Sequence, residues 1–250
     1  MKKLLLLTFT FLLLTLTANS FAVSYSLVND WSDVTNPNGL WSYNEGNNLL
    51  QFNLPNWPTG EFGETQTAWA QTNVEEGFLP GWFKSVGDPN QLSELVNVNG
   101  PYDWQGGDVV VHTTSSPIHG ADHGSANVKW TNPYSGLFNL EGGVWAGRDI
   151  GRGNDWFLYL DNFLIGSGHV EGGDIYSRAS PDSFNLSNLN IQQGSIVKLE
   201  LVRTTGSQGS GDFVGVAFNI NEINPIPEPA TAMLLGSGLL RAFIRRKRLC

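Results

Sequence analysis

Apolar and polar residues alternate along much of this chain with period two, the period of a strand that buries one face. The clearest case lies late. Val197, Leu199 and Leu201 alternate with Lys198 and Glu200, and Val214, Val216, Phe218 and Ile220 fall on one face of residues 213–220. The Gly-rich stretch 206–211 between them reads as the turn of an antiparallel hairpin. Asp161-Asn162, between apolar runs at 156–160 and 163–165, is a second hairpin signature. Further strands are expected at 25–28, 40–43, 49–52, 67–72, 81–84, 108–112, 126–130 and 137–140. Turn-forming Asn, Gly and Pro cluster at 36–39, 44–48 and 131–136. No long 3.6-residue apolar period appears. The pattern predicts an all-β chain, a jelly-roll-like β-sandwich over residues 23–223, of about ten to fourteen short strands.

Both ends break this pattern. Lys2 and Lys3 precede an apolar run over 4–16 and the small-residue sequence Ser20-Phe21-Ala22. This predicts a signal helix over residues 1–22, cut after Ala22 by signal peptidase. At the other end, residues 224–250 open on a stiff hinge, Pro225-Ile226-Pro227-Glu228-Pro229. An apolar run over 230–240 follows, then Arg241, three more apolar residues, and Arg245-Arg246-Lys247-Arg248. As a hydrophobic helix of about 15 residues it would reach roughly 22 Å, short of a hydrocarbon core of about 30 Å. The basic cluster would stay on the cytoplasmic side. In order and content, Pro227-Glu228-Pro229, the Leu/Gly-rich segment and Arg245 to Arg248 resemble the PEP-CTERM sorting signal of exopolysaccharide-producing Gram-negative bacteria. The resemblance implies that exosortase, a membrane cysteine protease, recognises and removes the tail during export. It implies transient inner-membrane contact, and a final place in the cell envelope, at the cell surface or in the extracellular matrix.

Charge and cysteine content fit a body that works outside the cell. Seven of the 14 Lys and Arg lie in the terminal segments, and all 23 acids lie at or before Glu228, so the part between carries a net charge near −16. Nucleic acid as a partner is excluded for want of a basic footprint. The lone cysteine is Cys250, so the body has no disulfide and depends on packing.

Candidate chemistry is sparse. The nine tryptophans fall between Trp31 and Trp156. Most are expected in the core, but exposed indoles can serve as platforms for the C–H faces of sugars. Trp57, framed by Pro55 and Pro58, is the first choice as such a platform, with Trp82 and Trp104 second. Arg148 and Arg152, in the densest charged stretch of the body, could grip sugar hydroxyls or pair within a turn. His112, His119, Asp122 and His123 crowd one stretch and could hold a transition metal, although a polar loop explains them as well. Asp149, Asn154 and Asp155 could offer oxygen ligands to calcium. Otherwise no cofactor is expected. No nucleophile elbow, zinc-protease motif or ranked carboxylate pair points to catalysis. The expected function is therefore non-enzymatic: a sorted surface or matrix protein with weak contact to extracellular polysaccharide. The alternatives are a secreted carbohydrate-active enzyme and a purely structural or adhesive surface protein.

Overall fold

The computed structural model describes residues 22–57, 66–73, 80–87, 102–113, 125–148, 151–171, 177–204 and 212–223. The expected signal helix, apart from exposed Ala22, and the hydrophobic helix with Pro227, Glu228, Pro229 and Arg245, Arg246, Lys247, Arg248 lie outside these residues.

The described residues form two antiparallel sheets packed as a β-sandwich. In chain order the strands are β1 (Ser24–Ser26), β2 (Trp41–Glu45), β3 (Asn48–Leu49), β4 (Phe52–Trp57), β5 (Gln66–Ala70), β6 (Gly81–Lys84), β7 (Val109–His112), β8 (Ala126–Thr131), β9 (Gly136–Ala146), β10 (Asn154–Leu160), β11 (Phe163–Val170), β12 (Asp182–Ile191), β13 (Ile196–Arg203) and β14 (Phe213–Glu222). The larger sheet runs β12-β9-β14-β7-β6-β5-β4, with β1 also on β14; the smaller runs β11-β10-β13-β8-β2-β3.

Alternation explains which side of each strand is buried. Along β13, Val197, Leu199 and Leu201 are fully buried, while Lys198 and Glu200 face outward. The two inner faces meet through aromatic pairs that cross the sandwich. Trp41 meets Phe218 at 5.6 Å, Tyr43 meets Trp82 at 6.3 Å, Trp130 meets Phe138 at 5.6 Å and Trp156 meets Phe184 at 5.4 Å. Each buried ring removes about 150–250 Å² from water, about 4–6 kcal/mol at ~25 cal/mol per Å². This aromatic layer supplies the packing that a disulfide-free body needs.

A second, smaller core sits on the outer side of the larger sheet. Ala68, Phe83, Val110 and Phe213 are covered there by Trp104 and Tyr102. The strap carrying those two rings is tied down at several points. Trp145 Nε1 donates to Asp103 O at 2.7 Å, Arg178 N donates to Asp103 Oδ2 at 2.7 Å, and the Arg178 guanidinium forks onto both Asp108 oxygens at 2.5 and 3.0 Å.

The connections depart from expectation in two places. The β10–β11 hairpin forms as read, with Asp161 at φ 54° and Leu160 paired with Phe163. The 195–203 and 213–220 strands, expected to be hairpin partners, lie instead in different sheets: β13 pairs with β10 and β8, and β14 with β9, β7 and β1. Alternation marks a strand with one face in the core, and both strands have one, but it does not say which strand lies beside it. The segment around Pro55, outside the expected strands, is strand: β4 is an edge of the larger sheet, where a proline costs no ladder bond.

Candidate ligand face and the charged end of the sandwich

The outward side of the smaller sheet carries a patterned face. Strand register puts Ser42, Lys129, Lys198, Tyr159 and Leu164 in one row across five strands. The adjacent row holds Asn44, Asn127, Glu200, Phe157 and Ser167. A third row holds Val202, Asp155 and His169. These side chains share a face because residues two apart on a strand point the same way and register partners lie side by side.

Phe157 and Tyr159 are both half-buried, with ring centroids 6.5 Å apart. Lys198 Nζ lies 4.4 Å from the Tyr159 ring centroid and 2.7 Å from Glu200 Oε2. Glu200 also accepts from Ser125 Oγ. Lys129 is half-buried and, among the described residues, its side chain makes no hydrogen bond or ion pair. Burial, then the neighbouring Lys198 charge, lower its pKa, with Glu200 opposing. At the edge of the face, His169 Nδ1 lies 2.6 Å from Asp155 Oδ1 and Nε2 lies 3.4 Å from Glu171 Oε1. Burial disfavours the imidazolium, but the bonds and charges of Asp155 and Glu171 outweigh it and raise its pKa.

Several of the residues singled out in the sequence gather elsewhere, at one end of the sandwich. There Thr113 N donates to Asp212 O at 2.8 Å, Asp212 N donates to Thr113 Oγ1 at 3.1 Å, and Thr113 Oγ1 donates to Asn154 Oδ1 at 2.9 Å. Asp212 is fully buried; its Oδ1 accepts from Phe213 N, and its Oδ2 has no hydrogen-bond partner among the described residues. Burial drives its pKa up to about 7, although that bond and the charges of Arg152, Arg148 and Arg203 pull it down. The Arg148 guanidinium lies 5.2 Å from the Tyr102 ring centroid.

The fate of each candidate is specific. Trp82 and Trp104 are 0% and 2% exposed, so neither offers a ring face to a ligand; one packs between the sheets and the other seals the outer core. Trp57 ends β4, opposite Gln66. His112 contacts Thr113 O at 3.1 Å through Nδ1 and stands edge-on to Phe213 at 4.4 Å. His119, Asp122, His123 and Asp149 lie outside the described residues. Arg148, Arg152 and Asn154 come together at the charged end, but Asp155 does not join them. Asn154 and Asp155 are successive strand residues, one buried against Thr113 and the other outward beside His169. They therefore cannot close on one small cation as the calcium reading required. Among the described residues no three His, Cys, Asp or Glu side chains come close enough to hold a metal.

The face itself was only half legible. Lys198 and Glu200 were visible as the outward side of a strand. Their grouping with Lys129, Phe157 and Tyr159 depends on register between strands far apart in sequence.

No family model matches the chain, and no curated protein matches it. Among solved structures, it is similar to the K1 cleaved adhesin domain of Lys-gingipain from Porphyromonas gingivalis W83 at 9% identity, covering 82% of this chain and 99% of that one with a TM-score of 0.35. A cyclase from Fischerella sp. TAU matches at 10% identity over 80% of this chain and 98% of that one, TM-score 0.35. The CBM36-1 domain of a multidomain xylanase from the hindgut metagenome of Trinervitermes trinervoides matches at 15% identity over 52% of this chain and 86% of that one, TM-score 0.30. Likeness at this level assigns neither ligand nor activity.

Proposed function

We propose that this chain is an exported, non-enzymatic, jelly-roll-like sandwich that contacts extracellular polysaccharide at the cell surface or in the matrix. The observation that carries the reading is the outward face of the smaller sheet. Two half-buried aromatic rings, Phe157 and Tyr159, stand two residues apart on β10 there, beside Glu200 and Lys198 on β13, with Lys129 one strand further on. Rings of this kind take the C–H faces of sugars, and the charged neighbours take hydroxyls. A strand paired on both sides holds them rigidly, which lowers the ordering cost of binding.

The export reading rests on residues 1–22 and 224–250. The segment ending at Ala22 is the expected substrate of signal peptidase, and the tail from Pro227 to Arg248 that of exosortase. The body is compatible with cutting at both ends, because Val23 O accepts from Glu222 N at 2.9 Å and the two extensions start side by side.

The test is a glycan array, with pull-down on matrix polysaccharide, using the full chain and Tyr159→Ala. Binding that falls about tenfold in the variant, the loss of roughly 1.4 kcal/mol, supports the reading. Absence of binding to every glycan overturns it. Intact mass of the exported protein tests the two trimming events separately.

A further inference from the structure

We propose that Lys129, with Ser42 beside it, is the seat for a carboxylate on a sugar, so that the ligand class of this face is an acidic, uronate-bearing polysaccharide. This deepens the glycan reading above and rests on it.

Lys129 and Lys198 are direct register partners on β8 and β13. Like charges opposite each other on one face of an antiparallel pair repel, and the arrangement is destabilising without an anion nearby. Glu200 is that anion for Lys198, at 2.7 Å. Lys198 is further held over the Tyr159 ring at 4.4 Å. Lys129 has no such partner among the described residues, and Ser42 is its neighbour on the other side. The first two rows thus hold two ammonium groups against one carboxylate, Glu200, while Asp155 in the third row is engaged by His169, in a body whose overall charge is strongly negative. A second carboxylate, supplied by a ligand between Lys129 and Ser42, completes an alternating pattern: Lys198 to Glu200, Lys129 to the ligand. Ser42 Oγ already accepts from Asn44 Nδ2 at 3.0 Å, which leaves its own proton to donate to the incoming oxygen. The polysaccharide chain then runs along the row past Lys198, so that a neighbouring sugar meets Tyr159 and Phe157 about two strands away.

An acidic peptide is disfavoured on two grounds. β8 and β13 are hydrogen-bonded on both sides, so an extended peptide finds no open backbone edge along this row. The aromatic rings offer flat contact that a pyranose ring uses and an acidic side chain does not.

The experiment is calorimetric titration of the full chain with trigalacturonate, cellotriose and a tri-glutamate peptide, repeated on Lys129→Met and Lys129→Arg. Thermal melting of each variant checks that the fold is intact; removing one of two facing charges should leave it so. The expected result is trigalacturonate binding at least tenfold tighter than cellotriose, lost in Lys129→Met, kept within about threefold in Lys129→Arg, and absent for the peptide. Equal affinity for trigalacturonate and cellotriose, unchanged in Lys129→Met, overturns the carboxylate seat and leaves the glycan reading standing. Binding of the peptide as tightly as the sugar overturns the sugar assignment. Binding of neither sugar, with none on the glycan array, overturns both.

Discussion

Thr113 and Asp212, 99 residues apart, close a reciprocal pair of hydrogen bonds that fastens the end of β7 to the start of β14. The pair fixes the Asp212 carboxyl inside the sandwich, and burial there raises its pKa to about 7. The folded state consequently holds this proton more tightly than the unfolded chain does. Stability from the group is complete below the unfolded value near 3.8, declines as pH rises toward 7, and is level above that. A shift of about three units corresponds to a decline on the order of 4 kcal/mol. Asp212→Asn keeps the shape and cannot ionise, so its stability should lose this downward slope between pH 4 and 7. Urea unfolding of both proteins at pH 4, 5.5, 7 and 8.5 measures the difference; parallel pH profiles would show that Asp212 titrates normally.

Gly215 leaves the space that Trp145 fills. The two are register partners on β14 and β9, and a Cβ on Gly215 would fall inside the indole. Trp145 cannot retreat cheaply, because its Nε1 ties down the strap at Asp103. Gly215→Ala should therefore destabilise by at least about 1–3 kcal/mol through overpacking. Trp145→Leu alone should also cost stability. In the double variant, however, the two costs should sum to less than their separate values, since the clash is gone. A double-mutant cycle by urea unfolding reads this coupling directly.

How much of this was legible follows from the range of each interaction. β13 and β14 were readable because Val197, Leu199, Leu201 and Val214, Val216, Phe218 announce a buried side within a few residues. Their placement in opposite sheets was not, because the turn stretch at 206–211 fits a hairpin and a crossing equally well. β12 was missed: Phe184, Leu186 and Leu189 are interrupted by a bulge at which Asn188 has φ 59°, so the two-residue period slips. The charged end was partly legible, since Arg148, Arg152 and Asn154 are close in sequence. Asp212, its centre, was not, because nothing local marks an aspartate as buried. The indoles misled most. Trp82 and Trp104 were second choices as exposed platforms, yet the sheet and the strap enclose both.

The His169–Asp155 contact should be visible by NMR. Its imidazole should titrate above the ordinary value of 6.5, and in Asp155→Asn the midpoint should fall toward that value. A raised histidine stabilises the fold below the unfolded pKa and loses that contribution as pH rises through the folded one. The side chains are 38% and 32% exposed, so solvent screens the pair and the effect on stability should stay below about 1 kcal/mol. A midpoint unchanged by Asp155→Asn would show that the two groups do not interact in solution.

The first and last strands protect one another. β14 pairs with β9 along one side; on its other side β7 covers only Phe213–Val216, and β1 covers Asn219 to Asn221. Leu27 N donating to Phe218 O and Glu222 N donating to Val23 O extend that cover at both ends of β1. Cleavage after Ala22 would spare every one of these bonds, whereas loss of residues 23–26 would leave that part of β14 as an open edge. Such an edge is a template for pairing with another copy. A chain starting at Val23 should therefore match the parent in urea unfolding. A chain starting at Leu27 should lose about 2 kcal/mol, the worth of a few ladder bonds, and scatter light at concentrations where the parent is clear. Equal stability and solubility of the two would mean that β1 adds nothing to the sandwich.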